Sequence, residues 1–175
     1  GAGTLVDKTD FTNDTTAAVP GASFTAGSPA SRSSRLATGN STAGYFGGGT
    51  SPGDGTTVME KITYSSDTPS AVSSANLSTR RYGGGAVGNN DFGYFGGGQS
   101  GGTNLSTMDK LTYSTETTAE LPSAPLSIVR YRIGATGNST VGYFAGGTPG
   151  NRSTIDKLTY ATDTLAANPS GGSLT

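Results

Sequence analysis

The 175-residue chain contains no cysteine, no histidine and no tryptophan. Without Cys there is no disulfide framework, no thiolate zinc site and no cysteine nucleophile. Without His there is neither a Ser-His-Asp triad nor an imidazole-ligated metal. Charge is scarce too: 11 basic and 12 acidic residues leave a net charge of −1, which gives no field for a polyanion such as nucleic acid. Hydrophobic residues make up 31%, and no run of them approaches the roughly 20 residues of a membrane-spanning helix. No signal peptide is visible. Small residues fill the space instead, with 29 Gly and 50 Ser plus Thr. Such a composition suits a flexible linker unless something imposes order on it.

Internal repetition imposes that order. Gly44-Tyr45-Phe46-Gly47-Gly48-Gly49 returns as Gly93-Tyr94-Phe95-Gly96-Gly97-Gly98 and again as Gly142-Tyr143-Phe144-Ala145-Gly146-Gly147, each time after 49 residues. Arg32, Arg81 and Arg130 precede these blocks at the same interval, and Gly39-Asn40, Gly88-Asn89 and Gly137-Asn138 keep the register. An acid-Lys block follows each one: Glu60-Lys61-Ile62-Thr63-Tyr64, Asp109-Lys110-Leu111-Thr112-Tyr113 and Asp156-Lys157-Leu158-Thr159-Tyr160. A weaker copy stands at Asp7-Lys8-Thr9-Asp10-Phe11. A disordered linker has no physical reason to hold such a register.

No segment sustains a 3.6-residue period, so helices are not expected. Along Val58 to Tyr64, Val58, Ile62 and Tyr64 fall on one side and Met59, Lys61 and Thr63 on the other, as in a pleated strand. The adjacent Tyr and Phe of the second block face opposite ways, which predicts a strand buried on both sides. The glycines after it end the strand. Each unit therefore reads as four short strands. In the middle unit these are Arg81 to Val87, Phe92 to Gly96, Met108 to Tyr113, and a fourth near Leu121 to Leu126. The hairpins between strands three and four are Ser65 to Thr68, Ser114 to Thr117 and Ala161 to Thr164.

An Arg-bearing first strand, an aromatic second strand ending in Gly-Gly, a third ending in Tyr, and a turn with an acid and Thr together resemble the kelch repeats of β-propellers, whose period is about 50 residues. Arg81, Tyr94-Phe95-Gly96-Gly97, Tyr113 and Glu116-Thr117 occupy those places, and the resemblance covers almost the whole chain. It implies an all-β fold of kelch-like propeller blades, each a four-stranded antiparallel sheet. The Trp that kelch units usually carry after the Tyr is missing, so Leu77, Leu121 and Leu126 are expected to pack the outer part of each blade. In style the repeats are similar to those of virion appendage or fibre-type proteins of bacteriophages, notably of marine cyanobacteria.

Residues 1–28 hold strands three and four of a half blade, and residues 29–77, 78–126 and 127–175 hold full blades. Three and a half blades fall short of the four to eight of a closed propeller. The expectation is therefore part of a larger ring or assembly, completed by more of a parent chain or by other copies. Because stacked repeats stabilise only their neighbours, this stretch alone should be weakly stable.

Candidate sites are few. The glycine triplet recurs in every unit and lacks the Lys-Ser/Thr and following helix of a phosphate loop, so it reads as structural. In one reading Arg32, Arg81 and Arg130 line a pore or bind a ligand carboxylate; in the other they bond Asp67, Glu116 or a backbone carbonyl within the repeat. Their symmetry favours the second. Tyr45, Phe46, Tyr94, Phe95, Tyr143 and Phe144, with Tyr64, Tyr113 and Tyr160, read as structural repeat positions. The acid-Lys neighbours point to opposite faces of a strand and do not converge on one substrate atom. Calcium is the one plausible metal, but no D-x-D-x-D-G loop is present, and no cofactor is expected. Six sequons (Asn13, Asn40, Asn76, Asn104, Asn138 and Asn151) would be surface acceptors only on a glycosylating route. Tyr82 and Tyr131, where the first unit has Ser33, suit core packing or stacking on a neighbour or ligand.

The loops between strands two and three vary most: Thr50 to Thr57, Gln99 to Ser106 and Thr148 to Thr154. Rigid scaffolds place binding residues on such loops. Asp54, Thr56, Gln99, Asn104, Asn151 and Arg152 are the candidate binding residues, suited to wet, polar contacts. The expected function is a non-enzymatic structural and interaction module of a virion or extracellular assembly, with virion proteins or cell-surface glycan as partners. Two alternatives remain: a propeller enzyme of lyase or epimerase type with a pore site, and a cytoplasmic kelch-type adaptor. The absence of both His and Cys argues against copper oxidases of the kelch type.

Overall fold

A computed structural model describes residues 5–24, 32–50, 54–150 and 152–167. The fold is all-β. A hairpin of β1 (Leu5–Asp10) and β2 (Thr15–Ser23) comes first. The next unit holds β3 (Leu36–Gly39), β4 (Ala43–Gly47), β5 (Met59–Thr63) and β6 (Thr68–Ala71). The middle unit has β7 (Gly85–Gly88), β8 (Phe92–Gly96), a small loop ribbon of β9 (Gln99–Ser100) and β10 (Thr103–Asn104), then β11 (Met108–Thr112) and β12 (Thr117–Glu120). The last unit has β13 (Gly134–Gly137), β14 (Val141–Ala145), β15 (Ile155–Thr159) and β16 (Thr164–Ala167). Each full unit is a four-stranded antiparallel meander, β3-β4-β5-β6, β7-β8-β11-β12 or β13-β14-β15-β16. Among the described residues the only helical turn is a 3-10 turn at Ser73–Ala75.

The core lies between sheets. In β4, Tyr45 is paired with Lys61 while Phe46 is paired with Glu60, so the two rings leave the sheet on opposite faces. Tyr45 joins Leu36, Ala43 and Met59 against Phe95, Leu111 and Tyr113 of the middle unit. Tyr94, Val87 and Met108 meet Phe144, Leu158 and Tyr160 of the last unit in the same way. The Tyr-Phe pair therefore grips the following unit with Tyr and the preceding one with Phe. Both faces of β4 and β8 are largely buried, as the alternation predicts.

Glycine ends the second strand for a steric reason. Gly48 has φ +67°, and a Cβ there would lie 2.4 Å from the carbonyl oxygen of Arg81 in the next unit. The close approach lets the Gly49 N–H donate to that same carbonyl at 2.9 Å, and Gly98 repeats the bond to Arg130 O at 2.9 Å.

Two strand expectations need correction. The first strand of the middle unit spans Gly85–Gly88 and excludes Arg81, which forms only an isolated bridge to Thr56 of the preceding loop. The Arg segment serves as a clasp between units and leaves the sheet to begin later. The fourth strand is Thr117–Glu120, a polar outer edge; Leu121 and Leu126 follow it, and Leu126 turns in to fill the core with Ala124. Apolar residues there mark packing under the sheet, with no ladder of their own.

Candidate functional site

Three constellations stand out, of which two recur from unit to unit. The first is buried. Arg81 has no exposed surface, and its Nη2 donates to Asp109 Oδ2 at 2.8 Å and Thr107 Oγ1 at 3.0 Å. Its Nη1 donates to the carbonyls of Thr107 at 2.8 Å and Gly97 at 3.1 Å. Arg130 donates to Asp156 Oδ2 at 2.9 Å and Phe144 O at 3.1 Å. Arg32 pairs with Glu60 and donates to Gly48 O at 3.1 Å. Burial lowers the pKa of the Arg81 guanidinium, while the carboxylates of Asp109 and Glu120 act in the opposite direction. The partner is thus the acid of the acid-Lys block; Asp67 and Glu116, the acids expected from sequence, are used elsewhere. Each guanidinium lies between strands two and three and anchors the incoming segment to the sheet.

The second constellation lies on the seams between units. Lys8 pairs with Asp67 at 3.0 Å, Lys61 with Glu116, and Lys110 with Asp163 at 2.6 Å, each Lys reaching into the next unit's turn. The Tyr45 hydroxyl donates to Glu116 at 3.1 Å and the Tyr94 hydroxyl to Asp163 at 2.7 Å. Tyr45 stacks on Tyr113 with ring centroids 5.0 Å apart, and Tyr94 on Tyr160 at 5.1 Å. Each receiving acid sits in the left-handed region: Asp67 at φ 51°, Glu116 at 52° and Asp163 at 51°. Burial, then the neighbouring Glu116 carboxylate, pushes the Tyr45 phenol up to about 12. Tyr113 and Tyr160 also rise to about 12, chiefly through burial, and Tyr94 rises through burial and its bond to Asp163. Between the first two full units the seam opens into a groove of about 570 Å³, bordered by Asn40, Thr42, Lys61, Asp91, Phe92 and Glu116.

The turn between strands one and two explains the recurring Gly-Asn. Asn40 Oδ1 accepts from the backbone N–H of Thr42 at 2.9 Å and Ala43 at 3.1 Å, and Asn89 and Asn138 do the same two and three residues on. The middle unit places Asn90-Asp91 where the others have Ser-Thr, which gives the groove a second carboxylate beside Glu116. That substitution was visible in the sequence, but the loops at the other end of the strands drew the functional reading.

Those loops form the third constellation. Asp54 pairs with the exposed Arg80 of the next unit at 3.3 Å. The Thr56 N–H donates to Gly49 O at 3.0 Å, and its hydroxyl accepts from the Val58 N–H at 3.2 Å. Gln99 Nε2 donates to Asn104 Oδ1 at 3.0 Å, and Gln99 Oε1 accepts from the Tyr82 hydroxyl. Arg152 donates its backbone N–H to Gly147 O at 3.0 Å. Asn151 lies outside the described residues. The structure therefore gathers Gln99 with Asn104 and Asp54 with Arg80 on one rim, and ties Thr56 into the loop itself. Tyr82 and Tyr131 meet edge to face, with centroids 6.5 Å apart, across two units.

Among the described residues no three potential metal-ligating side chains cluster, and no helix is long and apolar enough to cross a membrane. No protein-family model matches the chain, and no curated protein matches it.

Proposed function

We propose that the chain is a non-enzymatic structural and interaction module, an arc of kelch-like propeller blades in a virion appendage or similar extracellular assembly. What carries this reading is the repeated use of the chemically strongest groups as fasteners. Arg32, Arg81 and Arg130 are each held by a buried carboxylate in the same place, as a scaffold requires and as a single asymmetric reaction centre does not. Support for blades comes from the order of contacts: β7 lies against both β3 and β13, so the meanders follow one another in chain order with their first strands together.

On this scaffold the varied loops supply the binding rim. The Asp54–Arg80 pair and the Gln99–Asn104 pair offer both signs of charge and amide groups within one region, a set suited to hydroxyl-rich glycan or a polar protein surface. Retention of the chain on a panel of immobilised bacterial surface polysaccharides tests this. At least one polysaccharide should retain it, and the exposed changes Asp54→Ala with Arg80→Ala should abolish retention without altering the circular dichroism spectrum. Release of shortened polysaccharide, or retention indifferent to both changes, would refute the reading.

A further inference from the structure

Two departures from the shared pattern of the repeat meet at the seam groove between the first two full units. The first is one of size. Ala43 opens β4 where Phe92 opens β8. Both stand two residues before the stacking Tyr, on the sheet face turned to the following unit. At the second seam the Phe92 ring fills that place. It lies edge to face with Tyr94, centroids 6.5 Å apart, beneath the Lys110 ammonium at 3.9 Å. At the first seam the small side chain of Ala43 leaves the space open, and a groove of about 570 Å³ results. That volume falls within the roughly 300–1,000 Å³ of small-molecule sites.

The second departure is one of charge. The residue two places after the shared turn Asn is Thr42 in the first full unit, Thr140 in the last and Asp91 in the middle one. Thr42 and Thr140 close their turns by donating a hydroxyl to the Asn Oδ1, at 2.8 and 2.9 Å. A carboxylate has no proton to donate. Asp91 therefore gives up that bond and keeps the backbone one, from its N–H to Asn89 Oδ1 at 2.9 Å. Its side chain is exposed and has no ion-pair partner among the described residues. Threonine would serve the turn better, so the turn itself does not account for the carboxylate.

We infer that this groove is a second ligand site, at the opposite end of the strands from the varied rim, and that it takes an amino sugar whose amine is free and protonated. Its walls are tied before anything binds. Asn40 Nδ2 donates across the seam to Asn90 O at 3.3 Å, and Thr38 Oγ1 lies 3.2 Å from the Tyr113 hydroxyl. Lys61 and Glu116 offset each other, which leaves the groove the one negative charge of Asp91. An ammonium answers that charge, and an anionic sugar would set like charges together. Thr42, Thr63 and Ser114 bring hydroxyls to the border, suited to exchange hydrogen bonds with a hydroxyl-rich ring. A small cation alone would use little of the volume. A metal ion would find too few ligands, since no three potential ligating side chains cluster among the described residues.

Calorimetric titration with D-glucosamine at about pH 6, where an amine is protonated and carboxylates are ionised, tests this beside N-acetyl-D-glucosamine and D-glucose. The native chain should bind glucosamine about tenfold more tightly than either neutral sugar. Asp91→Thr restores the residue that two other units carry, so thermal denaturation should show a fold at least as stable, while the preference for glucosamine disappears. Ala43→Phe puts into the first seam the ring that the second already holds, and should abolish binding of all three sugars. A native chain that does not bind glucosamine overturns the inference, as does equal affinity for the three sugars. A preference that survives Asp91→Thr, or binding that survives in folded Ala43→Phe, overturns it as well. The polysaccharide test of the rim uses other residues and another probe, so the two readings fail separately.

Discussion

At the scale of the single residue, the buried Arg81–Asp109 pair is the group the fold can least do without. Both side chains are fully buried. Asp109→Ala leaves a buried guanidinium with carbonyl acceptors but without its bonded carboxylate, and the expected loss is about 3–5 kcal/mol. Lys110→Ala breaks a pair that water still reaches and should cost no more than about 1 kcal/mol. Urea unfolding of the two variants, followed by tyrosine fluorescence, distinguishes these magnitudes. The sequence marked both Arg and acid as periodic but did not pair them correctly. Glu60, Asp109 and Asp156 recur at the same intervals as Asp67, Glu116 and Asp163, so spacing offered two acids for each Arg. The decision belongs to packing: the strand-three acid points to the same face as the Phe of strand two, where the incoming Arg segment arrives. The other acid stands in a left-handed turn facing the previous unit. The candidate loop residues were legible as a varied rim, but their bonds to each other, such as Gln99 to Asn104, follow from a ribbon the sequence did not announce.

At the scale of the element, the same logic of turns governs the segment before each first strand. Ser34, Gly83 and Arg132 lie 49 residues apart and adopt φ of 54°, 64° and 57°. Gly83 donates its N–H to Ser34 O at 2.9 Å and accepts from the Arg132 N–H, so these residues form a backbone ladder across three units. A Cβ at Gly83 would find ordinary contacts, the nearest at 3.6 Å, so Gly83→Ala carries only the conformational penalty of about 1–2 kcal/mol. Gly83→Asn should cost less, because Asn tolerates this region. Gly48→Ala should cost more than either, since it meets a backbone oxygen at 2.4 Å. Thermal denaturation of the three variants should place Gly83→Asn mildest and Gly48→Ala most severe. Strand boundaries were readable where side chains alternate against a neighbour: β8 spans the predicted Phe92–Gly96, and β11 ends one residue early. They were unreadable at β12, whose Thr117–Glu120 is mostly exposed and carries no apolar signal.

At the scale of the whole molecule, stability is a sum of seams, and each of the two between full units is made by one Tyr stack, one Lys and one acid. This makes the chain sensitive to alkali. The phenols of Tyr45, Tyr113 and Tyr160 ionise near 10 when unfolded and at about 12 when folded. Between those values the unfolded chain has released protons that the folded chain retains, so stability is intact below pH 10 and declines as pH rises toward 12. The urea midpoint should therefore fall across that window, in step with delayed phenolate absorbance in the folded state.

Leu77 and Leu126 are both buried core residues, and the residues that follow them, Ser78 and Ser127, each donate a backbone N–H to the buried acid of their own unit. A genetic excision of residues 78–126 would therefore splice Leu77 to Ser127, the junction that already exists at Leu126. It would present Tyr45 and Lys61 to Tyr160 and Asp163, the groups that Tyr94 and Lys110 meet now. Recombination between the copies can thus lengthen or shorten the array by whole 49-residue blocks while the Tyr and Lys contacts of the seam are kept.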